Sequence, residues 1–329
     1  MSGTNDTNVL SVRGLSIRLA TRDGGASVVD DASFDVGRGE VFGIVGESGC
    51  GKSVTAYAIA GLLPTPPLRV EAGSVRLGGR ELLSASPAEM RSVRGKDIGM
   101  IFQEPMTALD PLYTIGEQIA ESLEFHSSLD KRAAMEKAIA MLGRVGIPEP
   151  RRIAAEYPHR LSGGMLQRVV IAMAMINEPA LLIADEPTTA LDVTIQAQIL
   201  ALMNDLVGAN GMSMVLITHD LGVVAETCDR VAVFYGGHLV ESAPVDRIFA
   251  EPLHPYTDGL RRSVESIGGA GGKLYAIPGS VPSAGRFGPG CRFHDRCGAR
   301  VARCGIEAPP TTVLPDGRTV RCWLRGEEA

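Results

Sequence analysis

The chain has little of what would mark a membrane-spanning, fibrous or nucleic-acid-binding protein. Apolar runs such as residues 169–176 and 180–184 fall well short of the roughly 18 consecutive apolar residues that a bilayer span requires, so the chain is not expected to cross a membrane. Basic residues are not in excess: 32 Lys plus Arg stand against 38 Asp plus Glu, a net charge of -6, which removes any general attraction to nucleic acid or anionic lipid. Residues 1–8 contain neither a basic segment nor an apolar core, which argues against secretion and for the cytoplasm. No internal repeat is present. At 329 residues, 45% hydrophobic and 21% charged, the composition is that of an ordinary globular protein, not of collagen, a coiled coil or a disordered chain.

What is present alternates between strand and helix patterns. Short alternating runs over residues 9–45, broken at Asp23-Gly24-Gly25 and Gly37-Arg38-Gly39, predict hairpins feeding a sheet. Residues 41–45 form an apolar run closed by glycine, and residues 53–63 follow with helix formers until Pro64, which predicts strand, glycine loop and helix. From about residue 84 to residue 176 the texture is helical: Met135, Ala138, Ile139, Leu142 and Val145 share one face, with Asp130 placed to cap and Gly146 to terminate. Residues 180–184 and 214–217 are apolar throughout, as strands covered by helices on both faces must be, with a helix predicted between them. Residues 230–235 and 238–241 flank Gly236-Gly237, the pattern of a tight hairpin. Beyond Glu251 the chain becomes rich in Pro, Gly and Cys, and a tail module is expected to start there.

Gly46-Glu47-Ser48-Gly49-Cys50-Gly51-Lys52-Ser53 fits G-x-x-x-x-G-K-[ST] between a strand and a helix, where a phosphate cradle must sit. Glycines let backbone N–H groups wrap the phosphates and the helix N-terminus adds partial positive charge. Lys52 is suited to neutralise the β and γ phosphates of ATP, and Ser53 to bind Mg2+. Cys50 reads as a small residue at a permissive position. The strand at residues 180–184 runs into Asp185 and Glu186, one suited to hold Mg2+ and the other to polarise the attacking water, because phosphoryl transfer mainly needs positioning and charge compensation. Leu161-Ser162-Gly163-Gly164-Met165-Leu166-Gln167-Arg168 places a capping serine and two glycines before an amphipathic helix, a second ready anion site.

With the last motif lying between the first two, with Gln103 after residues 98–102 and His219 after residues 214–218, the chain resembles an ABC-type ATPase. The resemblance implies an α/β P-loop NTPase (RecA-like) core over residues 1–250, with an N-terminal antiparallel β subdomain and an inserted helical signature subdomain at about residues 85–176. A small Cys-rich module over residues 251–329 would follow. It also implies Gln103 as the Q-loop contact to Mg2+ and to a membrane partner, Glu186 and His219 as the catalytic pair, and Asp192 as the D-loop residue. Ser162, Gly163, Gly164 and Gln167 would complete the nucleotide site of a partner in a head-to-tail pair. The family places an aromatic residue against adenine near Leu19; none is there, and Leu19, Val28 and Val29 are the apolar candidates to cover the base. Arg160 and Leu166 are also unusual neighbours of the signature.

His254-Pro255-Tyr256-Thr257, Ile277-Pro278-Gly279-Ser280-Val281-Pro282 and Tyr157-Pro158-His159 make the whole chain similar to the ATP-binding subunits of oligopeptide and dipeptide importers. That similarity implies a second, non-identical ATPase subunit, two integral membrane permeases, an extracytoplasmic solute-binding protein, and a peripheral location on the cytoplasmic face of the membrane, with no nucleic acid. Nickel or another solute is the alternative cargo, and a non-transport ATPase acting on DNA or ribosomes, or a metal-sensing regulator, the rival classes. In the tail, Cys291, Cys297, Cys304 and Cys322 are four candidate thiolate ligands. Their spacing lacks the two C-x-x-C knuckles of a zinc ribbon, and a four-cysteine set suits a [4Fe-4S] cluster; Zn2+ and unligated thiols remain the alternatives. Cys228 reads as a core thiol.

Overall fold

The computed structural model describes residues 7–21, 25–189, 191–268 and 275–325. Most of the expected turn at Asp23-Gly24-Gly25 lies outside them. The chain divides into two compact units, one of residues 1–36, 40–83 and 217–329, the other of residues 37–39 and 84–216.

In the first unit, the strand Asn8–Leu19 pairs antiparallel with Leu68–Leu77, placing Val12 opposite Val75 and Leu10 opposite Leu77. With Ala26–Gly37 on one side and Arg80–Glu81 on the other, these make a four-stranded sheet. Leu10 and Val12 are fully buried, and so are Leu15 and Ile17. The buried set therefore changes parity, which a strict two-residue alternation cannot do; a register shift between Arg13 and Ser16 supplies the extra residue.

A second set of strands in this unit carries the glycine loop. Val41–Val45 runs parallel to Arg230–Tyr235, which turns back at Gly236-Gly237, both at positive φ (55° and 87°), into His238–Pro244. The two-residue turn is the hairpin that the glycine pair predicts. His238–Pro244 then pairs with Thr319–Val320, with Glu241 opposite Val320, and Thr319–Val320 pairs with Thr312–Val313.

The apolar residues after Glu251 divide between a small cluster of their own, Leu253, Val320 and Cys322 with Leu314 packed against it, and the core of the first unit. Tyr256 and Phe293 are buried with Val45, Val231, Val233 and Tyr235, and Phe287, Cys291 and Cys297 pack on the same cluster. The rings of Tyr235 and Phe293 meet edge to face at 5.0 Å. The physical reason is scarcity: a segment with few apolar side chains gains stability by also covering an existing apolar surface.

In the second unit, Ile98–Ile101 runs parallel to Leu181–Asp185, with Ile98 opposite Leu181 and Ile101 opposite Ala184, and Ser213–Thr218 is the next strand. Leu181–Asp185 and Ser213–Thr218 are buried along their full length, as the absence of alternation in their sequences requires. The helices have clear local causes. Thr114 caps Ile115–His126 in a reciprocal box with Glu117, and Asp130 caps Lys131–Arg144 by accepting from Ala133 N–H. Gly163–Met175 and Val193–Asn210 complete the longer helices. This unit continues past residue 176 to take in Leu181–Asp185 and Val193–Asn210.

Candidate functional site

In the first unit, Val41–Val45 leads through residues 46–51 into the helix Lys52–Ile59. The loop is held too closely for side chains at two points. A Cβ on Gly46 would stand 2.2 Å from the Phe234 carbonyl oxygen, and one on Gly51, at φ 101°, would stand 2.9 Å from that of Val28. No side chain caps the helix, and its N-terminal dipole faces the loop. The helix ends at Ile59, earlier than Pro64 alone predicts, because Gly61 takes φ 65°.

Lys52 is 4% exposed, and its Nζ donates to the carbonyls of Gly46 (2.8 Å) and Glu47 (3.1 Å). The ammonium is thus held in the curve of the loop, where a phosphate would compete for its protons. Cys50 is fully buried, and burial pushes its thiol above the usual range, so it is inert packing and not a reactive thiolate. Val28 and Val29 lie against Gly51. Leu19 pairs with Leu68 at the end of its strand. His219 is exposed immediately after Ser213–Thr218, and Asp220 caps the helix that follows.

In the second unit, Asp185 ends a strand and is fully buried, and Glu186 turns away at φ 46°. A glutamate held in the left-handed region is strained, and such strain persists where surrounding contacts hold it. Those contacts are present: Gln103 Nε2 donates to Glu186 Oε2 at 3.3 Å, and Thr189 Oγ1 donates to the same oxygen at 3.0 Å. Two hydrogen bonds on one oxygen fix the direction of the carboxylate, which positioned catalysis requires.

Ser162 departs from the capping expectation. It occupies the N-cap of Gly163–Met175, but its side chain makes no cap hydrogen bond, whereas Thr114, Asp130 and Asp192 cap the other long helices of this unit. A Cβ on Gly163 would meet nothing within 4 Å, and one on Gly164 would meet Ile195 at 3.4 Å, so the start of this helix is open at Gly163. Gln167 is 2% exposed and its Nε2 lacks a hydrogen-bond partner, so it faces the interior. Asp192 caps Val193–Asn210 by accepting from Ile195 N–H at 2.9 Å.

Two residues at the glycine loop were missed by sequence reasoning. The Tyr256 hydroxyl accepts the Glu47 N–H at 3.0 Å, and Arg296 pairs with the Glu47 carboxylate at 2.7 Å. Neither contact has a local signature, since the partners lie 209 and 249 positions away along the chain.

Residues 29–189 match the ABC transporter family, and residues 240–304 match the family described as the oligopeptide/dipeptide transporter C-terminal region. The dipeptide transport ATP-binding protein DppD of Bacillus subtilis is 49% identical over 321 residues, 98% of this chain and 96% of that protein. The chain belongs to the family of ABC transporter ATP-binding proteins. It is an ATPase of the branch that carries the oligopeptide/dipeptide C-terminal region. The oligopeptide transport ATP-binding protein AppD of the same organism is 48% identical, covering 98% of each chain. Among solved structures, a dimeric ATP-binding cassette in a post-hydrolysis state bound to ADP and Pi superposes with a TM-score of 0.65 at 26% identity, covering 72% of this chain and 98% of that one. The cassette fold is common to both. Among the described residues no helix is long and apolar enough to cross a membrane.

Proposed function

We propose that this ATPase powers uptake of oligopeptides or dipeptides as the peripheral, cytoplasmic-face subunit of a multi-subunit importer. The observation that carries the reading is identity of 48–49% to dipeptide and oligopeptide transport ATP-binding proteins over nearly the whole chain, tail included. Nickel transport, nucleic-acid work and metal sensing have no comparable support.

In the proposed reaction, water attacks the γ-phosphorus of ATP, the bond to the β,γ-bridging oxygen breaks, and ADP and phosphate leave. Residues 46–51 wrap the phosphates, Lys52 neutralises them, and Ser53, Asp185 and Gln103 serve Mg2+. Glu186, steadied by Gln103 and Thr189, orients the water, and His219 acts at the γ-phosphate. Ser162, Gly163 and Gly164 would serve the nucleotide of a partner ATPase, Asp192 the junction with it, and Gln167 would support the signature from within. The solved relative is dimeric. A non-identical second ATPase, two membrane permeases and an extracytoplasmic receptor complete the proposed assembly, with the domain division at about residues 250 and 85–176 retained as its functional layout.

The tail cysteines fit metal ligation in type but not in closeness. All four are unpaired, and burial, followed by the neighbouring Cys304, Cys322 and Cys297, pushes Cys291 up to about 11. Yet among the described residues no three His, Cys, Asp or Glu side chains gather tightly enough to hold a metal ion. A [4Fe-4S] cluster, which spreads its thiolates around a cubane, fits four nearby but separated cysteines better than one Zn2+ does. No step of ATP hydrolysis is assigned to it.

The testing experiment is reconstitution. ATPase activity should be low for the isolated chain and rise with permeases, second ATPase and peptide-loaded receptor; a rate unchanged across that series would overturn the reading.

A further inference from the structure

The cysteine-bearing segment reaches the phosphate loop through two arginines. Arg296 faces Glu47 with both prongs of its guanidinium: Nη1 donates to Oε2 at 2.7 Å and Nη2 to Oε1 at 3.0 Å. Nε donates to the carbonyl of Pro278 at 2.8 Å, Nη2 also to that of Ile277 at 3.3 Å and Nη1 also to the Tyr235 hydroxyl at 3.4 Å, and the group lies 5.6 Å from the Tyr235 ring centroid and 5.9 Å from that of Phe293. The side chain is 7% exposed. Its direction is therefore fixed by its own segment and by buried aromatic rings before Glu47 is considered, a preorganised fork of the kind only arginine offers.

Arg292, 10% exposed on its side chain, makes a second connection. It donates to the carbonyl of Gly236 and pairs with Asp30 at 2.7 Å. The next residue of that turn, Gly237, donates its N–H to the carbonyl of Cys50 at 2.9 Å. One arginine follows Cys291 and the other precedes Cys297, and each leads to a different side of residues 46–51.

The charge of Glu47 gives the first connection its chemical meaning. A carboxylate in a loop built to receive a polyanion opposes the ligand by simple Coulomb repulsion. Paired with Arg296 its charge is compensated and its side chain is turned to the tail, while its main chain stays with the cradle: its carbonyl accepts from Lys52 and its N–H is bound by Tyr256.

We propose that Arg296 is a positioning residue of the nucleotide site, acting on ATP through Glu47, so that the folded segment bearing Cys291 and Cys297 sets the affinity of the phosphate loop. The proposal rests on reading residues 46–53 as the ATP cradle. It concerns binding and not the hydrolytic step, because no residue assigned to the water or to the γ-phosphate touches Arg296 in the contacts described above.

The experiment is a titration of the full chain with Mg2+ and trinitrophenyl-ATP, with a melting curve for every variant. Arg296→Ala should weaken binding roughly tenfold, a coupling within the range seen for residues in one ion-pair network. Arg296→Lys, which keeps a charge but loses the fork, should lose about threefold. In a chain already carrying Glu47→Gln, Arg296→Ala should cost less than about twofold, since its partner charge is gone. In the reconstituted importer, Arg296→Ala should raise KM for ATP with kcat little changed. Wild-type affinity in Arg296→Ala, or an equal loss with and without Glu47→Gln, overturns the inference while leaving the ATPase reading intact. If Arg296→Ala does not fold, Arg296→Lys in the two Glu47 backgrounds decides by the same criterion. Absence of binding by the wild-type chain overturns the ATP cradle itself, and this inference with it.

Discussion

Tyr256 and Glu47 meet through a single hydrogen bond, the phenol oxygen accepting the loop N–H at 3.0 Å. Tyr256 is fully buried, and burial pushes its hydroxyl well above the usual range, so the phenol is neutral at all working pH values. Tyr256→Phe keeps the ring and deletes only the acceptor. A part-buried N–H deprived of its partner costs about 1 kcal/mol or somewhat more. The variant should melt a few degrees lower and bind ATP more weakly, measured by calorimetry on the same preparations.

Lys52 and Glu186 should separate binding from turnover. Lys52→Ala removes the charge held in the loop and should weaken both nucleotide binding and hydrolysis. Glu186→Gln should keep ATP bound while lowering kcat by about 100-fold or more, the scale of a lost general base. Thr189→Ala leaves Gln103 as the remaining hydrogen bond described on Glu186 Oε2 and should lower kcat severalfold with KM for ATP little moved. Near-normal turnover in Glu186→Gln would remove the assignment of that carboxylate.

Ser162 and Thr114 occupy equivalent N-cap positions and should respond oppositely to alanine. Thr114 takes part in a reciprocal capping box, so Thr114→Ala should cost about 1 kcal/mol of stability. Ser162 makes no cap hydrogen bond with its side chain, so Ser162→Ala should change stability by less than about 0.5 kcal/mol, yet reduce ATPase activity of the assembled dimer. Equal melting losses in both variants would contradict this.

Acidification should weaken the fold through His254. Its Nδ1 accepts the Tyr256 N–H at 3.1 Å, and burial holds its pKa down to about 3. The unfolded chain takes up a proton near pH 6.5 while the folded chain does not, so stability is full above that pH and falls as pH drops toward 3. The loss between pH 6.5 and pH 5 is about 1 to 2 kcal/mol by this linkage. Glu241, whose carboxyl is pushed up by burial, works in the opposite direction, gaining stability as pH falls. Comparing melting curves of wild type and His254→Asn isolates the histidine: the variant should be less stable at pH 7.5 but show the shallower acid decline.

The parts of the molecule that could be read in advance are those whose causes are local. Residues 46–53 are contiguous, so strand, loop and helix follow one another in the sequence as in space. Asp130 and Gly146 mark a helix because caps act on their own turn. Gln103 and Glu186 were singled out separately, but not Thr189, because a threonine after Glu-Pro-Thr has nothing in its surroundings that names a carboxylate as partner. The failures are long-range. The shift near Arg13 depends on the opposing strand, and the apolar surface that Phe293 and Phe287 cover is made by residues such as Val231 and Tyr235, far from them in sequence. Ser162 misled for another reason: the residue type favours capping, but a cap forms only if the hydroxyl turns inward.

The span between Glu47 and its two tail contacts has a consequence for biosynthesis. A ribosome releases the phosphate loop early, whereas Tyr256 and Arg296 follow 209 and 249 residues later. Contacts so far apart in sequence are the last to close during folding. A nascent chain that stops short of Tyr256 therefore carries every nucleotide motif but an unbraced loop, and only translation past Arg296 supplies both contacts. The order of synthesis thus withholds a completed energy-using site from fragments that lack the rest of the subunit.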